Sequence, residues 1–403
     1  MRIAIPRETE AGEPRVAGTP DTVKRLKALG GDLVVEPGAG LASGILDSDF
    51  EAAGATIAAD AVKGADVVLK VRRPSVAELK SYKPGAVVLA TMDPYGNEAA
   101  LAQMAAAGVA GFAMELMPRI TRAQVMDVLS SQANLAGYRA VIDASSEFGR
   151  ALPMMMTAAG TVPAAKIFVM GAGVAGLQAI ATARRLGAVV TATDVRPAAK
   201  EQVESLGAKF IAVMDDEFKQ AETAAGYAKP MSAEYQAKQA ALVAEHIAKQ
   251  DIVITTALIP GRAAPRLVTS AMVASMKPGS VLVDLAVERG GNVEGAKVGE
   301  TVVTANGAKI VGHANVPGRL AATSSSLYAK NLFAFLEIMI DKASKSLVVP
   351  WDDELVKATL LTRDGAVVHP NFQNAPPPPA ADPATDDAAA AKPKAAPKKS
   401  TKA

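Results

Sequence analysis

Three glycines stand at a spacing that suits the phosphates of a dinucleotide. Gly171, Gly173 and Gly176 follow an apolar run at 167–170 and precede a helical pattern at 177–186. In a strand–turn–helix unit the first glycine makes a tight turn, the second lets the backbone approach a pyrophosphate, and the third allows close packing. Unpaired N–H groups at the helix start then face the phosphate charge. The pattern predicts a dinucleotide-binding turn, and the alternative is a glycine turn that binds nothing.

A carboxylate closes the second strand of this unit. Asp194 follows the apolar run 188–193, about where a dinucleotide-binding unit carries an acidic residue for the adenosine ribose. Its charge would also repel a 2′-phosphate, so we expect NAD(H) and not NADP(H) as the bound cofactor. The expected cofactor contacts of the turn and of this strand end are Gly171, Gly173, Val174, Ala175, Gly176, Asp194, Val195 and Arg196.

A second set of polar residues precedes the glycine turn. Helical spacing places Gln124, Asp127, Ser131 and Asn134 along one face, with Ser130 close to Asp127. Amides, hydroxyls and one carboxylate suit a nicotinamide carboxamide and its ribose, whereas a solvated face more often carries Glu and Lys. The alternative is an ordinary polar surface.

A long loop is predicted between the third strand and the next helix of the nucleotide-binding unit. Gly226 and Pro230 argue against regular structure, and Tyr227 gives the loop an aromatic side chain. The loop suits a lid or a docking element over the cleft. A surface insertion without a function is equally consistent with these residues.

Strand and helix patterns alternate through both halves of the chain. This order predicts an α/β fold with two Rossmann-like, doubly wound parallel sheets and a ligand cleft between them. The predicted strands are 2–5, 32–35, 67–71, 86–90 and 109–114 in the first half, and 167–170, 188–193, 209–213, 251–256, 280–285 and 309–311 in the second.

Two helical segments, 121–142 and 326–340, are expected to cross between the domains. We predict a first Rossmann-like domain from 1–129 and 320–373, which includes a terminal hairpin within 347–369, and an NAD(H)-binding domain from 130–319. The Pro/Ala/Lys-rich tail, 374–403, cannot bury a core and is expected to be disordered. The methionines at 154–156 are expected to fill the core.

Composition excludes several functions. The chain of 403 residues has no cysteine, which rules out disulfides, thiolate nucleophiles and cysteine metal sites and favours a reducing cytoplasm. Its three histidines are scattered, so no metal site is expected. A formal charge of +2 indicates no nucleic-acid footprint. Neither a signal peptide nor a spanning helix is recognisable, so we expect the chain itself to be soluble.

Longer segments carry a resemblance to known proteins. Residues 5–20, 69–74, 171–176 and 277–286 resemble the alanine dehydrogenase and transhydrogenase superfamily. Within it, residues 122–141, 154–163 and 225–229 resemble the NAD(H)-binding alpha subunits of proton-translocating transhydrogenases. The match covers about 1–373.

The resemblance implies roles for particular residues. The loop that holds the nicotinamide end of NADH would consist of Arg119, Gln124, Asp127 and Ser130. A mobile loop with Gly226 and Tyr227 would close over the bound nucleotide, and Leu258 would lie near the adenosine.

The resemblance also implies an activity and partners. Hydride would pass from NADH to NADP+ on an NADP(H)-binding beta subunit, coupled to proton translocation through a small membrane-spanning alpha-2-type subunit. The chain would be a homodimer, cytoplasmic and attached to the inner membrane through these partners. Transfer between two nicotinamides needs no base; it needs two rings held close together and water excluded.

Two alternatives remain at this point. An amino-acid dehydrogenase is one, but by the same comparison alanine dehydrogenases place a substrate-binding lysine where this chain has Arg72, and a histidine near Asp93. The arginine equivalent to Arg15 is retained. The other alternative is an NADH-sensing module without catalysis.

Overall fold

A computed structural model describes residues 1–221, 231–259 and 261–373 of the chain. The loop residues Gly226 and Tyr227 and the tail 374–403 therefore lie outside the described residues. The strands are β1 (Arg2–Ile5), β2 (Asp32–Val35), β3 (Thr56–Ile57), β4 (Val67–Arg72), β5 (Val87–Thr91), β6 (Ala110–Ala113), β7 (Met155–Thr157), β8 (Gly160–Val162), β9 (Lys166–Met170), β10 (Val189–Thr193), β11 (Lys209–Phe210), β12 (Ile252–Thr255), β13 (Val281–Asp284), β14 (Thr301–Val303), β15 (Lys309–Val311), β16 (Ile340–Asp341), β17 (Ser346–Leu347), β18 (Leu360–Arg363) and β19 (Ala366–Val367).

The helices lie between these strands. They are α1 (Pro20–Ala28), α2 (Asp47–Ala52), α3 (Val76–Leu79), α4 (Glu98–Ala106), α5 (Val128–Glu147), α6 (Val174–Arg185), α7 (Ala199–Ser205), α8 (Asp216–Lys219), α9 (Ala233–Ile247), α10 (Ser270–Ser275), α11 (Ala321–Glu337) and α12 (Glu354–Thr359). None of the helices in the described ranges combines the length and apolar character that spanning a bilayer requires.

The first sheet has the strand order β19-β18-β6-β5-β4-β1-β2-β3. Its strands are parallel except for the hairpin β18–β19, which returns from the end of the described chain and pairs antiparallel with β6. Both faces are covered: Ile3 and Ile5 belong to one apolar cluster, whereas Ala4 between them belongs to the cluster on the opposite face. Continuous apolar strands of this kind are typical of a buried parallel sheet.

The second sheet has the order β11-β10-β9-β12-β13-β15-β14. Its strands are parallel except β14, an exposed antiparallel edge strand that the sequence analysis did not predict. Strand β9 is flanked by β10 on one side and β12 on the other, so the chain order reverses there. In open α/β sheets, ligands bind at the carboxyl ends of strands at such a switch point. The predicted α/β class with two Rossmann-like sheets is confirmed.

The prediction of one helix over 121–142 is wrong. Residues 121–126 form a 3₁₀ segment, and α5 begins only at Val128. Asp127 separates the two because its backbone is extended and its side chain caps α5, accepting from the amide of Ser130 at 2.9 Å. An aspartate that bonds to its own backbone two or three residues on starts a helix in preference to continuing one.

The prediction that the three methionines fill the core is also wrong. Met154, Met155 and Met156 are 57%, 41% and 80% exposed. They lie in and before the two-stranded ribbon β7–β8, whose strands pair only with each other within the described residues. A ribbon outside both sheets has no core to fill.

The terminal segment 347–369 is more than a hairpin, because it also contains α12. The predicted turn at 363–366 does join β18 to β19. Its central residues, Asp364 and Gly365, both have positive φ (50° and 78°), which matches the twist of a two-residue hairpin.

Candidate functional site

The glycine turn joins β9 to α6 at the carboxyl edge of the second sheet. Gly171 has φ +105°, and a Cβ there would lie 2.4 Å from the hydroxyl of Thr256. A Cβ on Gly176 would lie 1.8 Å from the carbonyl oxygen of Gly171, so the helix passes directly against the turn. A Cβ on Gly173 would meet nothing within 4 Å, so the backbone there is open to a ligand. Each glycine has the geometry that the pattern predicts for it.

Asp194 lies at the end of the neighbouring strand β10 and braces this turn. Its Oδ2 accepts from the amide of Ala172 at 2.7 Å, and its Oδ1 accepts from the amide of Arg196 at 2.9 Å. The guanidinium of Arg196 also bonds to both carboxylate oxygens. The carboxylate is nearly buried, with 7% of its side chain exposed. The predicted contact of Asp194 with a ribose stays a prediction.

A cleft of about 410 Å³ runs along the glycine turn. From the segment before α5 it is lined by the predicted clamp residues Arg119, Gln124, Asp127 and Ser130. The opposite wall is the turn itself together with the strand end, including Gly173, Val174 and Arg196. The structure therefore brings the two sets of sequence-predicted residues together in one cleft.

The corner at Asp127 presents a preformed polar pair to this cleft. Besides the helix cap, Asp127 Oδ2 accepts from the hydroxyl of Ser130 at 2.5 Å. The reasoning from one helical face is wrong in part: Ser131 does not line the cleft and bonds instead to Asn331, and Asn134 is exposed on α5. The break at Asp127 rotates the later residues away.

Helix α5 reaches the glycine turn through a close backbone contact that the sequence analysis missed. A Cβ on Gly137 would lie 2.0 Å from the carbonyl oxygen of Ala175 in α6. The missing side chain therefore lets the two helices touch. The only signal in the sequence is a glycine within a helical pattern, which usually costs helix stability and so has a packing reason where it is kept.

The remaining predicted contacts lie farther out. Val195 and Leu258 are 59% and 54% exposed, and neither lines the cleft. Leu258 follows β12, and Asn292 fixes this loop by accepting from the amide of Ala257 and donating to its carbonyl oxygen. No group of three or more His, Asp or Glu in the described part of the chain is placed to hold a metal ion.

A second charged cluster lies in the first domain. Glu13 is 1% exposed at its side chain and accepts from the guanidinium groups of Arg15 and Arg72. Burial alone would raise the pKa of Glu13, but the hydrogen bonds and charge of Arg15, with the charge of Arg72, hold that pKa below its ordinary value. Asp93 forms an ion pair with Arg289 from the second half of the chain.

Two family models match almost the whole described chain. The model of the alanine dehydrogenase/PNT N-terminal domain matches residues 4–136, and that of the C-terminal domain matches residues 140–370. A relative from Rhodospirillum rubrum, the first of the separate parts of its NAD(P) transhydrogenase subunit alpha, is 57% identical over 378 residues. The aligned residues cover 92% of this chain and 98% of that protein.

Solved structures agree with these matches. The transhydrogenase from Sinorhizobium meliloti is 66% identical and superposes with a TM-score of 0.84, covering 91% of this chain and all of that one. An L-alanine dehydrogenase superposes with a TM-score of 0.78 at 24% identity, covering 93% of this chain and 98% of that one. The second likeness concerns the fold alone.

Proposed function

The chain belongs to the alanine dehydrogenase/PNT family, and from this premise we propose that it is the NAD(H)-binding alpha subunit of a proton-translocating transhydrogenase. The observation that carries the proposal is the cleft in which Gln124, Asp127 and Ser130 face Gly173 and Arg196. One wall has the chemistry for a pyrophosphate and the other has the chemistry for a nicotinamide.

The proposed reaction moves a hydride from NADH to NADP+ on a partner protein and yields NAD+ and NADPH. Bound NADH supplies that hydride. Because no substrate proton is removed, the chain needs no general base. The cleft lining contains no histidine, lysine or glutamate among the described residues. These side chains hold and orient a ring and exclude water.

The polar wall suits the two groups at the nicotinamide end. The Gln124 side chain both donates and accepts, as a carboxamide partner must. The Ser130 hydroxyl is held by Asp127, which fixes its direction. At the opposite wall, the start of α6 offers its unpaired N–H groups beside Gly173 to a pyrophosphate. We assign Leu258 to the adenosine end and the segment with Gly226 and Tyr227 to closure over the nucleotide.

We place NADP(H) and the proton path on partner subunits. The Rhodospirillum rubrum relative is named as one portion of a subunit alpha, which supports an assembly of several chains. The proposed partners are a membrane-spanning alpha-2-type subunit and an NADP(H)-binding beta subunit, which would hold this chain at the cytoplasmic face of the inner membrane. Within this chain, we assign 1–129 and 320–373 to one domain and 130–319 to the NAD(H)-binding domain.

We also propose a homodimer. The exposed methionines of the β7–β8 ribbon support it, because a contiguous apolar patch on an isolated ribbon favours burial against another chain. Replacing Met155 and Met156 with glutamate should give a monomer by sedimentation velocity. The same change at Met214, 46% exposed elsewhere, should leave the mass unchanged.

Mixing the chain with an isolated NADP(H)-binding domain of a transhydrogenase beta subunit tests the reaction. We expect rapid transfer from NADH to an NADP+ analogue whose reduced form absorbs at its own wavelength. A rate no higher than in the absence of the chain would contradict the proposal and leave NADH sensing. Pyruvate and ammonium should cause no NADH oxidation by the chain alone; if they do, the dehydrogenase alternative is correct.

A further inference from the structure

One side chain of α11 holds the corner of the cleft from outside. Asn331 is buried, with 7% of its surface exposed. Its Nδ2 donates to the carbonyl oxygen of Val125 at 2.8 Å, and its Oδ1 accepts from the hydroxyl of Ser131 at 2.7 Å. Val125 precedes Asp127 and Ser131 follows it. Asn331 therefore ties the end of the 3₁₀ segment to the first turn of α5.

The two partners fix the orientation of the amide. The carbonyl oxygen of Val125 can only accept, so it faces the NH₂ group of Asn331, while the hydroxyl of Ser131 is free to donate to the amide oxygen. An aspartate at position 331 would place two acceptors against each other at Val125. An alanine would leave the carbonyl and the hydroxyl without this partner.

Helix α11 is itself fixed to the first sheet. Tyr328, one turn before Asn331, is fully buried, and its hydroxyl donates toward the carbonyl oxygens of Lys70 and Val71 at 3.1 Å. The same oxygen accepts from the amide of Thr91 at 2.9 Å. These groups lie at the carboxyl ends of β4 and β5. The helix is thus a fixed platform from which Asn331 reaches the corner.

We propose that Asn331 is a positioning residue for the nicotinamide clamp, the set Arg119, Gln124, Asp127 and Ser130. It fixes the separation between the 3₁₀ segment, which carries Gln124, and the start of α5, which carries Ser130. Asn331 does not line the cleft, so it acts through Val125 and Ser131 and not by touching the nucleotide. The inference rests on the proposed function, because it takes this corner to hold the nicotinamide end.

NADH and ADP-ribose distinguish the two ends of the site. ADP-ribose has the adenosine, the pyrophosphate and the second ribose but no nicotinamide, so a displaced clamp should weaken NADH binding more. For Asn331→Ala in the full chain, we expect the Kd of NADH to rise roughly 5- to 20-fold and that of ADP-ribose to stay within about twofold. Ser131→Ala, which removes one of the two bonds, should raise the Kd of NADH by about 2- to 5-fold. Nucleotide fluorescence and competition titrations measure both constants.

Ser325→Ala is the matched control. Ser325 is buried on the same helix and bonds to the amide of Val16 and to Ser43, away from the corner. It should leave the ratio of the two constants unchanged. An equal rise for both ligands in Asn331→Ala, or no rise for either, would overturn the proposal, and if that variant does not fold, the ratio in Ser131→Ala decides. Gln124→Ala separates the two hypotheses: if it lowers NADH affinity selectively and Asn331→Ala does not, only the role of Asn331 fails. If Gln124→Ala changes nothing, the clamp assignment itself fails.

Discussion

Asp194 and Arg196 form a two-pronged ion pair beside the glycine turn. Arg196 Nε donates to Oδ1 at 2.9 Å and Nη2 donates to Oδ2 at 3.0 Å. The amides of Arg196 and Ala172 donate to the same two oxygens. A carboxylate offers about four acceptor positions, so these bonds occupy all of them. A ribose hydroxyl can therefore bond to Asp194 only if Arg196 shifts.

The first prediction concerns the choice between NADH and NADPH. Asp194→Asn removes the negative charge that opposes a 2′-phosphate and leaves the guanidinium of Arg196, a group that suits phosphate. We expect NADH affinity to fall roughly 10-fold and the preference for NADH over NADPH to narrow at least as much. Fluorescence titration with both nucleotides measures this. Asp216→Asn, at an exposed helix start in the same domain, is the control. An unchanged preference would contradict the role of Asp194.

The second prediction concerns the polar pair of the clamp. Asp127→Asn keeps an oxygen for the amide of Ser130, so the start of α5 should survive with a loss of about 1 kcal/mol or less. It weakens the charge-assisted bond to the Ser130 hydroxyl and so the orientation of that group. Hydride transfer with the partner domain should fall roughly 10- to 100-fold, since small displacements at a reacting centre are costly. Asn134→Ala, exposed on the same helix, should transfer at the original rate. Full activity in Asp127→Asn with an intact fold would show that the clamp lies elsewhere.

Much of the fold was readable from local pattern. Strands Arg2–Ile5 and Asp32–Val35 cover the residues predicted, because continuous apolar runs between turn residues leave little choice. The cap at Thr19 with Pro20 at the first helical position was also predicted, since both residues act within one turn. Features that depend on neighbouring residues in the sequence are the ones that pattern reasoning reaches.

The rest depends on contacts that sequence distance hides. Nothing beside Asn331 indicates Val125, which is 206 residues away, and nothing beside Gly137 indicates Ala175. Asp127 fits a helical face as well as a helix cap, and only its extended backbone decides between them. The exposed methionines fail for a related reason: an apolar run predicts burial but not whether the same chain provides it.

The third prediction tests the contact between the clamp helix and the glycine turn. In Gly137→Ala the new methyl would lie 2.0 Å from the carbonyl oxygen of Ala175, so α5 and α6 must separate. We expect the variant to lose about 1–3 kcal/mol of stability through overpacking. NADH affinity should fall as well, because the two walls of the cleft move apart. Thermal melts and NADH titration measure both effects. Gly149→Ala meets nothing within 4 Å and should change neither.

The fourth prediction concerns the charge cluster at Glu13. The carboxylate is buried between Arg15 and Arg72 and also accepts from the side-chain amide of Asn315, which belongs to the second half of the chain. Its pKa is lowered in the folded state, so the cluster stabilises the fold above the pKa of about 4.3 that an unfolded glutamate has. This contribution is lost as the pH falls through the lower, folded value.

Glu13→Gln should therefore be costly at neutral pH and less so in acid. At pH 7 the variant leaves two guanidinium groups without their shared carboxylate, and we expect a loss of about 3 kcal/mol in the free energy of unfolding. As the pH falls below about 4, protonation of Glu13 in the original chain removes the same charge, so the difference between the two proteins should shrink. Urea unfolding at pH 7 and at pH 3.5 measures it. Glu10, 58% exposed and 3.7 Å from Arg72, provides the control, since Glu10→Gln should change stability by less than about 0.5 kcal/mol at either pH. A loss in Glu13→Gln that is equal at both pH values would mean that packing and not charge makes this glutamate stabilising.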